Sequence, residues 1–313
     1  MFARKILIVF SFAIIFMGFS WLSRSVFSTY LFKSEIKNST KETDLLEKNY
    51  QKKLVVKFYS EKTFYDSLAW LKKKPEVFPD CLVAAAVVPH HDIAGFMLAG
   101  LFLKLSKQGV ETIVIVGPNH NETGGMILTS DAVWETAFGN IYPDQKTIQN
   151  LIENGEVEFG DLALQNDHSI SGLLPMLKYY MPNVKIVPIM LSAKNSIVEI
   201  GNLNEKIDFI LNDRKKVLIA SSDFSHYLNR SDAEKNDQIT LEIIRGFNYE
   251  KLYNLGNDNV DSPASVSTFL YIAQKKGDSV IHVIDHANST DLLGSNITKT
   301  TSYYSLLSCR KND

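Results

Sequence analysis

Apolar runs along this chain repeatedly break off into polar turns rich in His and Asp. Cys81 to Val88 (CLVAAAVV) leads into Pro89-His90-His91-Asp92, and Thr112 to Val116 (TIVIV) leads into Gly117-Pro118-Asn119-His120. Val217 to Ala220 (VLIA) leads into Ser221-Ser222-Asp223-Phe224-Ser225-His226. Short continuous apolar runs bounded by turn signals read as strands buried on both faces. Residues 184–191 (VKIVPIML) form a further strand, in which the donor missing at Pro188 predicts a bulge or an edge position. Residues 53–60, 126–129, 279–284 and 302–307 complete the strands. Helical periodicity covers TFYDSLAWLKKK and residues 93–106, 143–154, 173–180, 197–211, 232–253 and 265–274. Strands alternating with helices predict an α/β fold, a mostly parallel sheet flanked by helices on both faces.

An open parallel sheet lays the carboxyl ends of its strands along one crevice, where ligands bind. The three turns should therefore converge. Five of the seven histidines fall in them or in Asn166-Asp167-His168-Ser169. His90 and His120 end consecutive strands, and neighbouring parallel strands lie about 4.8 Å apart, so both can reach one ion. Two imidazoles plus a carboxylate is the ligand set of non-haem Fe(II) enzymes, while zinc and copper also accept neutral imidazole. Asp261, in Asn259-Val260-Asp261-Ser262-Pro263, supplies a carboxylate; its plainer reading is a cap on the helix that follows. His91 alternates with His90 and should point to the opposite side, as a rim or structural residue. Asp223 and His226 read as a carboxylate orienting an acid–base imidazole, with Ser221 or Asp223 capping a following turn as the alternative. His168 is a further candidate for moving protons. His282 and His286 read as packing or rim residues.

Composition narrows the classes. With 313 residues, 45% hydrophobic and 22% charged, the chain can bury a sizeable core. A formal charge of −2 without a basic stripe excludes nucleic-acid binding. Two cysteines, Cys81 and Cys309, are too few for a disulfide framework or a multi-cysteine zinc site. Cys81 opens an apolar strand and reads as a buried packing residue. Near the amino terminus, Arg4 and Lys5 precede an uncharged run over residues 6–22 that Arg24 closes. Its length is at the lower limit for a membrane span of about 30 Å. No small-residue cleavage site follows, and Trp21 suits an interfacial anchor. The expectation is an uncleaved anchor in residues 1–24 rather than a signal peptide. A charge-rich stalk over 25–51 and a globular domain over 52–313, outside the cytoplasm, would follow it.

Taken in order, Val88-Pro89-His90, Val116-Gly117-Pro118-Asn119-His120, Asp167-His168-Ser169-Ile170 and Ser221-Ser222-Asp223-Phe224-Ser225-His226 resemble the Memo family. Its bacterial members are named AmmeMemoRadiSam system protein B. The likeness covers residues 52–308, including Ser302-Tyr303 of the closing strand. The Memo fold is similar to class III extradiol dioxygenases of the LigB type, non-haem iron enzymes using two His and a carboxylate. The resemblance implies that His90 and His120 are metal ligands. Many Memo proteins place a Cys third, in a Cys-Gly motif before the late helix; here Asp261 stands at about that position. A carboxylate favours Fe(II) over Cu(I), with Zn or Cu still open. The expected function is a metal-dependent, dioxygenase-like redox enzyme acting on a small substrate in the sheet-edge pocket. The alternatives are a non-catalytic metal- or peptide-binding protein, or a zinc hydrolase.

Overall fold

The computed structural model of the chain describes residues 52–153, 155, 157–294 and 298–311. Among them are β1 (Lys53–Val55), β2 (Val83–Val88), β3 (Thr112–Pro118), β4 (Ile127–Thr129), β5 (Val133–Thr136) and β6 (Gly139–Pro143). These are followed by β7 (Glu158–Phe159), β8 (Lys185–Leu191), β9 (Lys216–Ser221), β10 (His282–Asn288) and β11 (Ser302–Cys309). They join in one sheet of order β1-β5-β6-β8-β3-β9-β2-β11-β10, with β4 and β7 attached beside β8. The central strands β6-β8-β3-β9-β2 pair in parallel. Antiparallel ladders flank them: β2–β11–β10 on one side, β5–β6 and β4–β8 on the other. The sheet is therefore mostly parallel, as expected, with antiparallel strands added at its margins. Crossover helices generate the parallel core, while tight or short connections give the antiparallel pairs β5–β6 and β10–β11.

Alternation along the central strands sorts their side chains between two cores. Val83, Ala86, Val88, Ile113, Ile115, Val217 and Ile219 pack on one face against residues of helices Glu61–Lys73, Gly95–Ser106 and Leu174–Tyr180. Ala85, Val87, Val114, Val116, Leu218 and Ala220 pack on the other against helices Ile197–Ile210 and Pro263–Lys275. Burial on both faces explains why these strands are continuous apolar runs. Each fully buried Val, Leu or Ile contributes about 1.5–3 kcal/mol of transfer free energy.

Pro188 is not at an edge. β8 pairs with β3 along its whole length, while its other side pairs with β6 at Lys185 and Ile186 and with β4 from Ile189 to Leu191. Pro188 falls in the gap between those two partners, where a missing N–H costs no ladder bond. The helix expected over 232–253 is two, Arg230–Arg245 and Tyr249–Tyr253, because Gly246 caps the first and Phe247 turns left-handed with φ 51°.

Cys81 is not a free packing residue; it is disulfide-bonded to Cys309, with Cα atoms 5.7 Å apart. The bond ties the entry of β2 to the end of β11. The expectation of a membrane anchor is also corrected. No helix among the described residues is long and apolar enough to cross a membrane. Residues 6–22 lie outside the described residues, so neither a transmembrane element of the fold nor a membrane-anchored location is carried forward.

Candidate metal centre

The parallel core delivers its chemistry at one edge. His90 follows β2 by two residues and His120 follows β3 by two, while Asp223 and His226 follow β9 and Asp261 precedes helix Pro263–Lys275. His90 and His120 do not come from adjacent strands. β9 lies between them, so that Val87 and Val116 both register against Ala220. Their rings still approach to 5.0 Å between centroids, because both lean over the end of β9, where the chain continues in small serines.

Each imidazole is oriented from behind. The Ser221 hydroxyl donates to the Ser169 carbonyl, so it accepts from His90 Nδ1–H at 3.1 Å. That tautomer turns the Nε2 lone pair of His90 into the site. The His90 amide donates to Asp223 Oδ1 at 3.0 Å. Asp167 accepts both the His120 amide at 2.8 Å and its Nδ1–H at 2.9 Å, leaving His120 Nε2 to face inward. The Ser169 amide donates to the same carboxylate at 2.8 Å. The segment carrying His168 lies directly on β3: a Cβ at Gly117 would be 3.2 Å from the Ile170 side chain and 3.3 Å from that of Ser169, so a larger residue there would press the segment outward.

Asp261 completes the cluster. Its Oδ1 accepts from the Ser222 hydroxyl at 2.6 Å, and its Oδ2 lies 3.1 Å from His90 Nε2 and 3.5 Å from His120 Nε2. Asp261 does not cap the following helix; Ser262 does, accepting from the Ser265 amide. His90 Nε2 and Asp261 Oδ2 are both buried without a hydrogen-bond partner. With His90 Nε2 deprotonated, two facing acceptors at that distance repel unless a cation, a proton or a metal ion, lies between them. Donors bound about 2.0–2.2 Å from one ion stand about 3–3.5 Å apart, which matches both spacings. The residues therefore fit a divalent metal, and the donor set His, His, carboxylate suits iron or zinc.

His168 joins them. Its ring stacks on His120 at 4.6 Å and 7°, lies 4.8 Å from His90, and touches Phe58 at 5.6 Å. Donor atoms of His90, His120 and His168 lie within 4.8 Å of one another. His91 also belongs to this cavity, contrary to its alternation with His90, because the chain enters a tight turn at Asp92. His91 Nδ1 lies 2.9 Å from Asp223 Oδ2 and 3.2 Å from the Tyr303 hydroxyl. Asp223 thus serves His90 and His91 rather than orienting His226, whose Nδ1–H donates to the Phe224 carbonyl at 2.6 Å. His226 lies 6.1 Å from His91, ring to ring. His286 packs elsewhere, stacked on Tyr304 and bonded to Asp237. Asp167 and Ser222 had no role in the sequence, and Ser221 only that of a turn cap. Their position beside each histidine-bearing turn was the only signal, since their partners are distant in the chain.

The charges respond to one another. Burial disfavours a charged His120, but Asp167 and Asp261 outweigh it and push its pKa up to about 10. Burial would raise Asp167, yet hydrogen bonds and charge from His120 hold it down to about 2. Burial would raise Asp261, yet the neighbouring His90 and His120 imidazoles hold its carboxyl well below the usual range. His168 falls to about 4 through burial and then the neighbouring His90 and His120, so it is a neutral base near pH 7. His90 and Asp261 are almost wholly buried, whereas the His120, His168 and His91 side chains are 29%, 30% and 37% exposed. The site opens to solvent along the His91–His168–His120 side.

Fold and site define an α/β protein with a histidine group able to hold a metal ion. The family described as Memo-like protein matches residues 58–307, and the chain belongs to that family. A MEMO1 family protein of Methanosarcina mazei is 32% identical over 223 residues, spanning 68% of this chain and 81% of its own length. One from Methanocaldococcus jannaschii is 33% identical over 193 residues, spanning 58% and 67%. The crystal structure of an uncharacterized protein of Escherichia coli K12 superposes with a TM-score of 0.51 at 15% identity. It covers 72% of this chain and 99% of its own, a likeness of fold alone.

Proposed function

We propose that this Memo-family chain is a divalent-metal enzyme of the extradiol-dioxygenase kind, with Fe(II) held by His90, His120 and Asp261. The observation that carries this reading is the buried, unpartnered pair His90 Nε2 and Asp261 Oδ2, 3.1 Å apart and both within reach of His120 Nε2. An Fe(II) ion bound there supplies a Lewis acid and a redox couple at coordination positions that three protein ligands leave open. Asp167 and Ser221 hold the two imidazoles in the ligating tautomer. Ser222 fixes the Asp261 carboxylate. His168, neutral and partly exposed, accepts a proton at its ring nitrogen from a hydroxylated small substrate entering beside it. Asp223 keeps His91 in place at the rim, and His226 presents its free Nε2 as a second proton carrier.

The His90, His120 and His168 group also favours a second reading, since three histidines around zinc form a hydrolytic site. Elemental analysis of anaerobically prepared full-length protein, followed by oxygen uptake with catechol-type compounds, separates the two. Stoichiometric iron and substrate-dependent oxygen consumption support the dioxygenase-like reading. Zinc with ester or amide hydrolysis replaces it, and no retained metal leaves a non-catalytic binding scaffold.

A further inference from the structure

A second cluster of metal-competent side chains lies at the other end of the β2–β11 pair, around the disulfide. His282 Nε2 lies 3.6 Å from Cys309 Sγ and 3.8 Å from Asp278 Oδ2. Donor atoms of Asp278, His282 and Cys309 all lie within 4.8 Å of one another. The loop bearing Asp278 is pinned against β11: the Asp278 amide donates to the Cys309 carbonyl at 2.8 Å, and Gly277 bridges to Arg310. His282 sits on β10 opposite Leu307, two residues from Cys309. Two segments, 278–282 and the end of β11, thus aim Asp, His and Cys donors at one point.

We propose that this cluster is a redox-gated zinc site. The disulfide closes it, and a dithiol reductant opens it to bind zinc through Cys81, Cys309, His282 and Asp278. Sulfur at about 2.3 Å and imidazole nitrogen at about 2.0–2.1 Å from a tetrahedral zinc stand about 3.6 Å apart, which is the Cys309–His282 spacing found here. The 5.7 Å between the cysteine Cα atoms lets both thiolates reach one ion once the sulfurs are released. Cys81 is partly exposed and Cys309 is buried, so the reductant's thiolate attacks Cys81 Sγ. That step forms a mixed disulfide, breaks the Cys81–Cys309 bond and expels Cys309 as thiolate beside His282. The reductant's second thiol then displaces Cys81. The reductant leaves as a disulfide, two electrons enter the protein, and zinc takes the two thiolates while two protons go to solvent.

Cobalt(II) and zinc(II) titrations of the full-length chain test this. A thiolate-to-cobalt charge-transfer band can arise here and not at the histidine site, which holds no sulfur. After reduction and removal of the reductant, the chain should bind one equivalent more than the oxidised chain, with that band, and zinc should displace the cobalt. His282→Ala keeps the disulfide and should weaken the added equivalent by about 10-fold or more. His90→Ala should leave the band untouched while removing metal from the first site. No added equivalent on reduction, or an undiminished band in His282→Ala, overturns the site.

Discussion

The two ends of the β2–β11 pair balance buried donors in opposite ways. At the end where β2 stops and β11 begins, His90 Nε2 faces Asp261 Oδ2 at 3.1 Å, and neither satisfies the other while both are deprotonated. At the far end, Cys81 and Cys309 satisfy each other by a covalent bond, with His282 and Asp278 standing by. Similar donor atoms therefore give a centre that needs a cation in one place and a closed cross-link in the other. The difference lies in whether the facing atoms can bond to each other.

The largest expected effect breaks the closed end. The disulfide spans 228 residues, and in the chain-entropy model a loop of this size stabilises by about 5 kcal/mol. Cys81→Ser with Cys309→Ser should lower stability by about that amount in denaturant unfolding, with the wild type falling similarly on reduction. A loss below about 1 kcal/mol would show that the sheet needs no tie there.

At the open end, Asp261→Ala should weaken Fe(II) binding beyond the roughly 10–100-fold cost of losing an outer partner, while the metal-free protein stays folded. Anaerobic calorimetric titration reads this directly, and equal affinities would remove Asp261 as a ligand. Ser221→Ala and Asp167→Asn alter the bonds behind the imidazoles, together with bonds to the Ser169 and His120 backbone, and should each cost about 10–100-fold. An unchanged affinity in both would mean that the rings hold their orientation without these bonds.

A further test is a pH profile of the metal-free protein. His120 is raised to about 10, so its contribution is complete below about 6.5 and is lost as pH rises through 10. Asp167, lowered to about 2, contributes above about 3.8 and loses that as pH falls through 2. His168, lowered to about 4, favours the unfolded chain as pH falls below about 6.5. The melting temperature should therefore peak near pH 6.5. A value still climbing at pH 9 would show that His120 and Asp167 do not form a charged pair.

The open end was partly legible in the chain because strand ends are local. Apolar runs stopping at His90, His120 and Asp223 mark where a sheet edge must be, and Asp261 stood before a readable helix. What could not be read was strand order. That β9 lies between β2 and β3 is decided by how crossovers pack, so His90 and His120 meet across an intervening strand rather than side by side. Asp167 behind His120 and Ser221 behind His90 are contacts across 47 and 131 residues, invisible to local pattern. The closed end was not legible at all. Two cysteines 228 residues apart carry no pairing signal, and the antiparallel return of β11 creates their proximity.

His168 lies between two parallel rings, His120 at 4.6 Å and 7° and His91 at 5.7 Å and 8°. Ring currents of these two neighbours shield its carbon-bound protons, so in a proton magnetic resonance spectrum they should stand upfield of the ordinary histidine range. The column makes His168 a built-in gauge: any molecule that wedges the rings apart would move that one signal back downfield, before any reaction is known.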